Sequence, residues 1–117
     1  MFSVMVDCIF CKIVEGKIPA DIVYEDDGVL AFNDVSPQAP VHILVIPKSH
    51  FESVNELSGS HADIISRLVL TAKMLAAKYC IAKSGYRLVV NCNAEGGQTV
   101  FHLHIHLLGG RQLKALG

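Results

Sequence analysis

From Phe101 to Leu108 apolar side chains alternate with histidines, in the order Phe-His-Leu-His-Ile-His-Leu-Leu. A period of two marks a β-strand, whose successive side chains point to opposite faces. The pattern predicts a strand over Val100–Leu108, with His102, His104 and His106 on one face and Leu103, Ile105 and Leu107 turned to the core. Neighbouring histidines on such a face stand about 6.6–7 Å apart, close enough for one ligand to touch several. Shorter strands are predicted over Ile22–Glu25 and Val29–Asp34, joined by the turn-forming Asp26-Asp27-Gly28. Leu30, Phe32 and Asp34 then share a face. Val41–Ile46 is more continuously apolar and reads as a central strand, ended by Pro47, which cannot donate to a ladder. Val41, Ile43 and Val45 line one side of it; His42, Leu44 and Ile46 line the other. Tyr86–Cys92 is a further strand.

Two stretches follow a helical period. Residues 7–15 predict a short helix with Asp7 as N-cap and Gly16 at its end. Ser60-His61-Ala62-Asp63 fits a capping-box start, and the pattern stays helical to Lys83 before Ser84-Gly85. Ile64, Ile65, Leu68, Ala72, Leu75, Ala76 and Tyr79 give a broad apolar face, which Val69, Leu70 and Met74 widen. The extra width predicts a second packing surface, most simply a dimer contact. Asn93–Gly97 reads as a flexible turn, and Gly109-Gly110 ends the last strand. The order of elements implies an α+β fold with a largely antiparallel sheet, in one domain over 1–117.

Composition narrows the possibilities. The apolar fraction, 51%, is high for 117 residues, which fits surface covered by a second subunit. Net charge is −1, from 10 basic and 11 acidic residues with no basic run, so no nucleic-acid footprint is expected. No apolar run approaches the roughly 18 residues of a membrane span. Residues 1–6 are apolar but short and lack a positive flank, making a poor signal peptide; the cytosol is the expected compartment. In that setting Cys8-x-x-Cys11 points to metal or redox chemistry more than to a disulfide. Cys80 and Cys92 lie in apolar stretches and read as inert core thiols.

Cys8, Cys11, His50 and His102 have the composition of a Cys2His2 zinc site, although their spacing is not that of a zinc finger. The alternative is two buried thiols and a solvated loop histidine. The histidine strand offers nucleophilic chemistry, since a neutral imidazole attacks phosphorus to give an intermediate that water can hydrolyse. Such a reaction also needs donors for the phosphate oxygens and a proton for the leaving group. Gly96-Gly97-Gln98-Thr99 precedes the strand and permits close backbone approach to a phosphate. Asp34, at a strand end, suits either the two hydroxyls of a ribose or an ordinary turn.

These residues resemble a known family. His102-Leu103-His104-Ile105-His106-Leu107-Leu108 is similar to the defining signature of the histidine triad (HIT) proteins. The resemblance runs from Asp7 to about Gln112. It is most specific at Asp34–Pro40, Leu44–Lys48, Gly85–Asn91, Gly96–His102 and Gly109-Gly110-Arg111-Gln112, and it points to the Hint, or nucleotide-binding, branch. It implies a HIT-like fold with one long and one short helix per subunit and a sheet continued across a homodimer. Residues 1–6 are then an N-terminal extension and 111–117 a C-terminal tail. It implies cleavage of purine nucleoside phosphoramidates, such as AMP joined to an amine or lysine. By position, His104 resembles the nucleophile. His106 resembles the residue beside the phosphate oxygens, whose carbonyl orients the nucleophile's other ring nitrogen. His42 resembles the family's fourth site histidine. Asp34 matches the ribose acceptor, and Asn91, Gly97 and Thr99 match positions around the phosphate. Ile9, Phe10, Ile18, Phe32, Val35 and Leu44 match the walls of the base pocket. Cys8, Cys11, His50 and His102 coincide with the ligands of zinc-containing relatives, implying a structural zinc and no redox or organic cofactor.

Two departures stand out. Thr99 stands where many Hint proteins have serine, which adds a methyl beside the leaving group. The tail Leu113–Gly117 lacks the tryptophan of animal relatives. The competing expectations are a dinucleoside polyphosphate hydrolase and a nucleotide-binding scaffold with incidental chemistry. A nucleotidyltransferase fits less well, because that branch carries glutamine at the position of His106.

Overall fold

The computed structural model describes residues 7–116; the expected N-terminal extension and Gly117 lie outside them. In chain order the elements are helix α1 (Ile9–Val14), strands β1 (Ile22–Glu25), β2 (Val29–Asn33) and β3 (Val41–Pro47), helix α2 (Ala62–Lys78), and strands β4 (Tyr86–Val89) and β5 (Ile105–Gly109). The five strands form one antiparallel sheet in the order β1-β2-β3-β5-β4. The α+β fold expected from the sequence is the fold observed. Among the described residues, no helix is long and apolar enough to cross a membrane.

The sheet separates two apolar layers, and the parity of each strand decides which layer a side chain joins. Val29, Ala31, Ile43, Val45, Leu103, Ile105 and Leu107 pack on one face against Leu68, Ala72, Leu75 and Ala76 of α2. Leu30, Phe32, Leu44 and Ile46 face the other way, against Phe10, Cys11 and Ile13 of α1. The long helix therefore covers one face, and the other keeps room beside the short helix.

Several boundaries differ from expectation for local reasons. Cys8, not Asp7, caps α1, its Sγ accepting from the Cys11 N–H at 3.3 Å. The approach to α2 is a 3₁₀ turn over Gly59–His61 in which the Ser58 N–H donates to Nδ1 of His61 at 3.0 Å; the capping box thus starts at Ser58 rather than Ser60. The helix stops at Lys78, not Lys83, because Cys80 turns left-handed (φ 63°) and Ile81 folds back into the core. That position leaves Cys80 exposed, and Cys92, beyond β4, is half-buried, so neither is a core thiol. Strand β4 ends at Val89, whereas β3 includes Pro47 and β5 includes Gly109. The histidine strand is shorter than its alternating pattern, since residues 100–104 lie outside β5.

Candidate functional site

The α1 side of the sheet carries the chemistry. His42 and Leu44 of β3 face that side, and β3 pairs with β5 so that Leu44 lies opposite His106 and Phe32 of β2 lies opposite Leu44. Asp34 leaves β2 with its N–H bonded to the His42 carbonyl at 2.9 Å. Its carboxylate Oδ1 accepts the Ser36 N–H at 2.8 Å, while Oδ2 lies 3.4 Å from Nε2 of His42. Nε2 of His42 is in turn 2.9 Å from Nδ1 of His106. The His104 and His106 rings are neighbours, centroids 4.9 Å apart. Phe10 lies edge-on to His104 (5.2 Å) and to Phe32 (5.4 Å). The structure thus gathers Asp34, His42, His104, His106, Phe10, Phe32 and Leu44 on one face.

His104 is buried, and its Nδ1 sits 2.6 Å from the carbonyl oxygen of His102. A carbonyl only accepts, so Nδ1 carries the proton and Nε2 keeps its lone pair. The orienting carbonyl is that of His102, not of His106 as expected. His106 lies inside β5, paired with Leu44 on one side and Val89 on the other, so its main chain is committed to the ladder. His102 precedes the strand and its carbonyl is free. Burial lowers His42 and His104 below the ordinary imidazole value, against the pull of Asp34 and the His102 carbonyl respectively. Burial, reinforced by His104 and His42, lowers His106 to about 4. These rings are neutral at physiological pH.

Because the chain is not yet in β5, the His102 ring turns away from this group. It is fully buried, donates from Nε2 to the Pro47 carbonyl at 2.8 Å, and points Nδ1 at Cys8 Sγ (3.3 Å), Cys11 Sγ (3.6 Å) and His50 Nδ1 (3.2 Å). Cys11 Sγ is 3.3 Å from His50 Nδ1. A tetrahedral ion with bonds of about 2.05 Å to nitrogen and about 2.3 Å to sulfur has edges of roughly 3.3 Å between nitrogens and roughly 3.6 Å between nitrogen and sulfur. The four donors fit zinc on these distances. Burial holds His102 near 4, and burial together with Cys8 and Glu15 pushes the Cys11 thiol up to about 12. Nδ1 of His102 is bare, because its Nε2 donates to Pro47, and Nδ1 of His50 faces it at 3.2 Å, an arrangement that a cation between the two rings would satisfy.

Among the described residues, no hydrogen bond joins the remaining predicted ones to this group of histidines. Ile9 and Val35 are apolar yet exposed, Val35 almost fully, and Ile18 packs at the edge of the α1 layer. Gly97 lies beside the Asn91 side chain, and exposed Thr99 lines a pocket of about 300 Å³ with Ile9, Cys8 and His50. Two glutamines also shape the site. Buried Gln98 accepts from the Asn93 N–H (2.7 Å) and donates to the Glu52 (2.7 Å) and Val100 (3.0 Å) carbonyls, holding the turn before Thr99. Gln38 donates its N–H to Nδ1 of His42 at 3.0 Å. Neither residue interrupts or continues an apolar period, so pattern alone does not reveal them.

Residues 15–113 match the HIT domain family. The chain belongs to the HIT family. This HIT protein is 50% identical over 107 residues to the purine nucleoside phosphoramidase of Escherichia coli K12, covering 92% of this chain and 90% of that one. Its fold is that of a HIT family hydrolase from Legionella pneumophila, with a TM-score of 0.91 and 47% identity over 92% of this chain and 96% of the other. A zinc-bound histidine triad family protein from Mycobacterium smegmatis matches with a TM-score of 0.78 and 30% identity, covering 92% of this HIT chain and 77% of its own.

Proposed function

We propose that this HIT protein hydrolyses purine nucleoside phosphoramidates through a nucleotidyl-histidine intermediate on His104. The observation that carries the reading is the bond from His104 Nδ1 to the His102 carbonyl, which leaves Nε2 neutral and unprotonated. The phosphoramidase name of the Escherichia coli relative supports the same reaction. His104 Nε2 attacks phosphorus, the N–P bond to the enzyme forms, and the P–N bond to the amine breaks. The amine leaves with a proton taken from solvent, which the water of the second step returns. Water then attacks phosphorus, the bond to Nε2 breaks, and the nucleoside monophosphate departs. His106 faces the phosphoryl oxygens, Asp34 takes the ribose hydroxyls, and Asn91, Gly97 and Thr99 surround the phosphate. Ile9, Phe10, Ile18, Phe32, Val35 and Leu44 wall the base. Walls this apolar reject one purine against another only weakly.

Cys8, Cys11, His50 and His102 would hold a zinc ion whose role is structural, since four protein ligands leave no position for water. It would tie α1, which carries Ile9 and Phe10, to the segment that presents His104. The free edge of β4 and the exposed apolar side chains of α2 support a homodimer with a shared sheet. The free cysteine pair suits the reducing cytosol.

The test is incubation with AMP-phosphoramidate, an AMP-lysine analogue and diadenosine polyphosphates. P–N cleavage should be rapid, and His104→Ala should lower kcat by about a thousandfold or more while nucleotide still binds. Mass spectrometry of quenched enzyme should find the nucleotide on His104. Cleavage of polyphosphates alone replaces the reading with a polyphosphate hydrolase. Binding without turnover replaces it with a scaffold.

A further inference from the structure

The motif Gly109-Gly110-Arg111-Gln112 has no part in the chemistry above, yet its geometry ties it to the site. Gly110 has φ +95°, and a Cβ there would meet Pro40 Cβ at 2.9 Å. With no side chain in the way, the main chain closes on the loop between β2 and β3. Arg111 then reaches across that loop. Its Nη2 donates to the Gln38 carbonyl at 2.7 Å and its Nη1 to the Gln112 carbonyl at 2.9 Å. No carboxylate among the described residues pairs with it.

Gln38 sits where three features of the loop meet. Its side-chain Nε2 donates to the Ser36 carbonyl at 3.0 Å, and the Ser36 N–H donates to Asp34 Oδ1 at 2.8 Å. Its main-chain N–H donates to Nδ1 of His42 at 3.0 Å. A peptide N–H only donates, so Nδ1 of His42 is bare. The single proton of this neutral ring is therefore on Nε2, which lies 2.9 Å from Nδ1 of His106. Nε2 of His42 donates and Nδ1 of His106 accepts. His106 must then carry its own proton on Nε2. Two adjacent histidines are thus held in opposite tautomers, His104 by a carbonyl that demands Nδ1–H and His106, through His42, by a peptide N–H that demands Nε2–H.

We infer that Arg111 is a positioning residue for the reaction: by holding Gln38 it fixes the tautomer of His42 and makes His106 present an N–H, rather than a lone pair, to the phosphoryl group. This rests on the phosphoramidase reading. An N–H at His106 strengthens its bond as charge builds on the phosphoryl oxygens in the transition state. Were the chain reversed, with His106 donating from Nδ1 to His42, the lone pair on Nε2 would face those oxygens and repel them. The two polarities differ only by where two protons sit; the peptide N–H of Gln38 at Nδ1 of His42, with Asp34 Oδ2 3.4 Å from its Nε2 favouring the same tautomer, decides between them.

Long-range proton–nitrogen NMR correlation of the histidine rings, in the ligand-free protein at neutral pH, reads each tautomer directly. The wild type should show Nε2–H at His42 and His106 and Nδ1–H at His104. Arg111→Ala should mix the tautomers of His42 and His106, leave His104 as it was, and lower single-turnover kcat by about tenfold or more with KM changed far less. Arg111→Lys, which keeps one donor for the Gln38 carbonyl, should restore most of both. Unchanged tautomers in Arg111→Ala overturn the inference, whatever happens to its melting temperature or rate. If the wild type cleaves no P–N bond while the tautomers respond to Arg111, the phosphoramidase reading fails and the proton lock stands. If it cleaves and the tautomers do not respond, the lock fails alone.

Discussion

The imidazole Nδ1 of His104 lies 2.6 Å from the carbonyl oxygen of His102, the residue whose own ring points into the cysteine cluster. One residue thus faces both centres, main chain to one and side chain to the other. Metal occupancy should therefore bear on the orientation of His104. Purified protein should contain about one zinc per chain by elemental analysis. Chelation, or Cys8→Ser with Cys11→Ser, should lower the melting temperature by about 10 °C or more. It should also lower kcat and raise KM together, because in the proposed site the ion holds α1, whose Ile9 and Phe10 wall the base, as well as the segment that presents His104. Full metal-free activity with an unchanged melting temperature would show that the cluster is not a zinc site.

Acid should destabilise the fold in two stages. Burial, aided by His104 and His42, lowers His106 from 6.5 to about 4, so between those values the unfolded chain binds a proton that the folded chain refuses. Stability rises with pH wherever the unfolded state holds more protons, so it falls as pH drops from about 6.5 to about 4. Asp26 acts lower down. The Gly28 N–H holds its carboxyl at about 2 against a partial burial cost, with the Tyr24 hydroxyl, the Val29 N–H and Arg67 adding to the effect. Its contribution is present above 3.8 and disappears as pH falls toward 2. Asp26→Asn should cost about 1 kcal/mol at neutral pH and nearly nothing at the acid end, where the wild-type carboxylate is itself protonated. Thermal melts of both proteins across this range check it; a constant gap counts against the assignment.

Gln98 should matter more than its place in a glycine-rich turn suggests. It satisfies the Asn93 N–H and the Glu52 and Val100 carbonyls from a nearly inaccessible position. It also supports a strained residue, since Asn93 has φ 64° and ψ −178°, a region that favours glycine. Gln98→Ala leaves those groups without partners and should cost about 2–3 kcal/mol in denaturant unfolding. KM for nucleotide should rise with it, because the released turn carries Gly97 and Thr99.

What the sequence disclosed depended on whether side-chain period or main-chain geometry decided the outcome. Parity placed Leu103, Ile105 and Leu107 in the core, and His42 and Leu44 together on the opposite face, as the structure has them. Period could not say where β5 begins, because His102 and His104 keep the alternation while their backbone leaves the ladder. Nor could it show which carbonyl meets His104, a choice made by which peptide groups the sheet leaves free. The end of α2 was hidden for a related reason. Ile81 continues the apolar pattern, yet its N–H caps the Ala76 carbonyl at 3.0 Å, and the Cys80 N–H bonds the Ala77 carbonyl at 3.1 Å. This closure usually places glycine where Cys80 stands.

That closure supplies its own test. Cys80 is held at φ 63° on the surface, where a side chain is strained and gains little by burial. Cys80→Gly should therefore raise stability by about 0.5–1 kcal/mol, seen as a higher melting temperature. An equal or lower melting temperature would mean that the lost side chain contributes more than the relieved strain.

Subunit association should depend on the outer surface of α2. Leu70 is 59% exposed, with Val69 and Met74 about 40% exposed beside it. Leu88 in β4 and Val90 just beyond it are also partly exposed, at one of the two edges of the sheet that no described strand covers. An open edge and an apolar patch of this kind are liabilities in a monomer and both disappear if a second copy pairs along β4. The wild type should therefore sediment at twice the 12.7 kDa chain mass, and its melting temperature should rise with protein concentration. Leu70→Lys places a charge in the middle of the contact, where it would be buried without a partner. It should yield a monomer that keeps the sheet but melts earlier at every concentration. A wild type that sediments as a single chain across the micromolar range would reject the dimer, and the high apolar fraction of the chain would then need another cover.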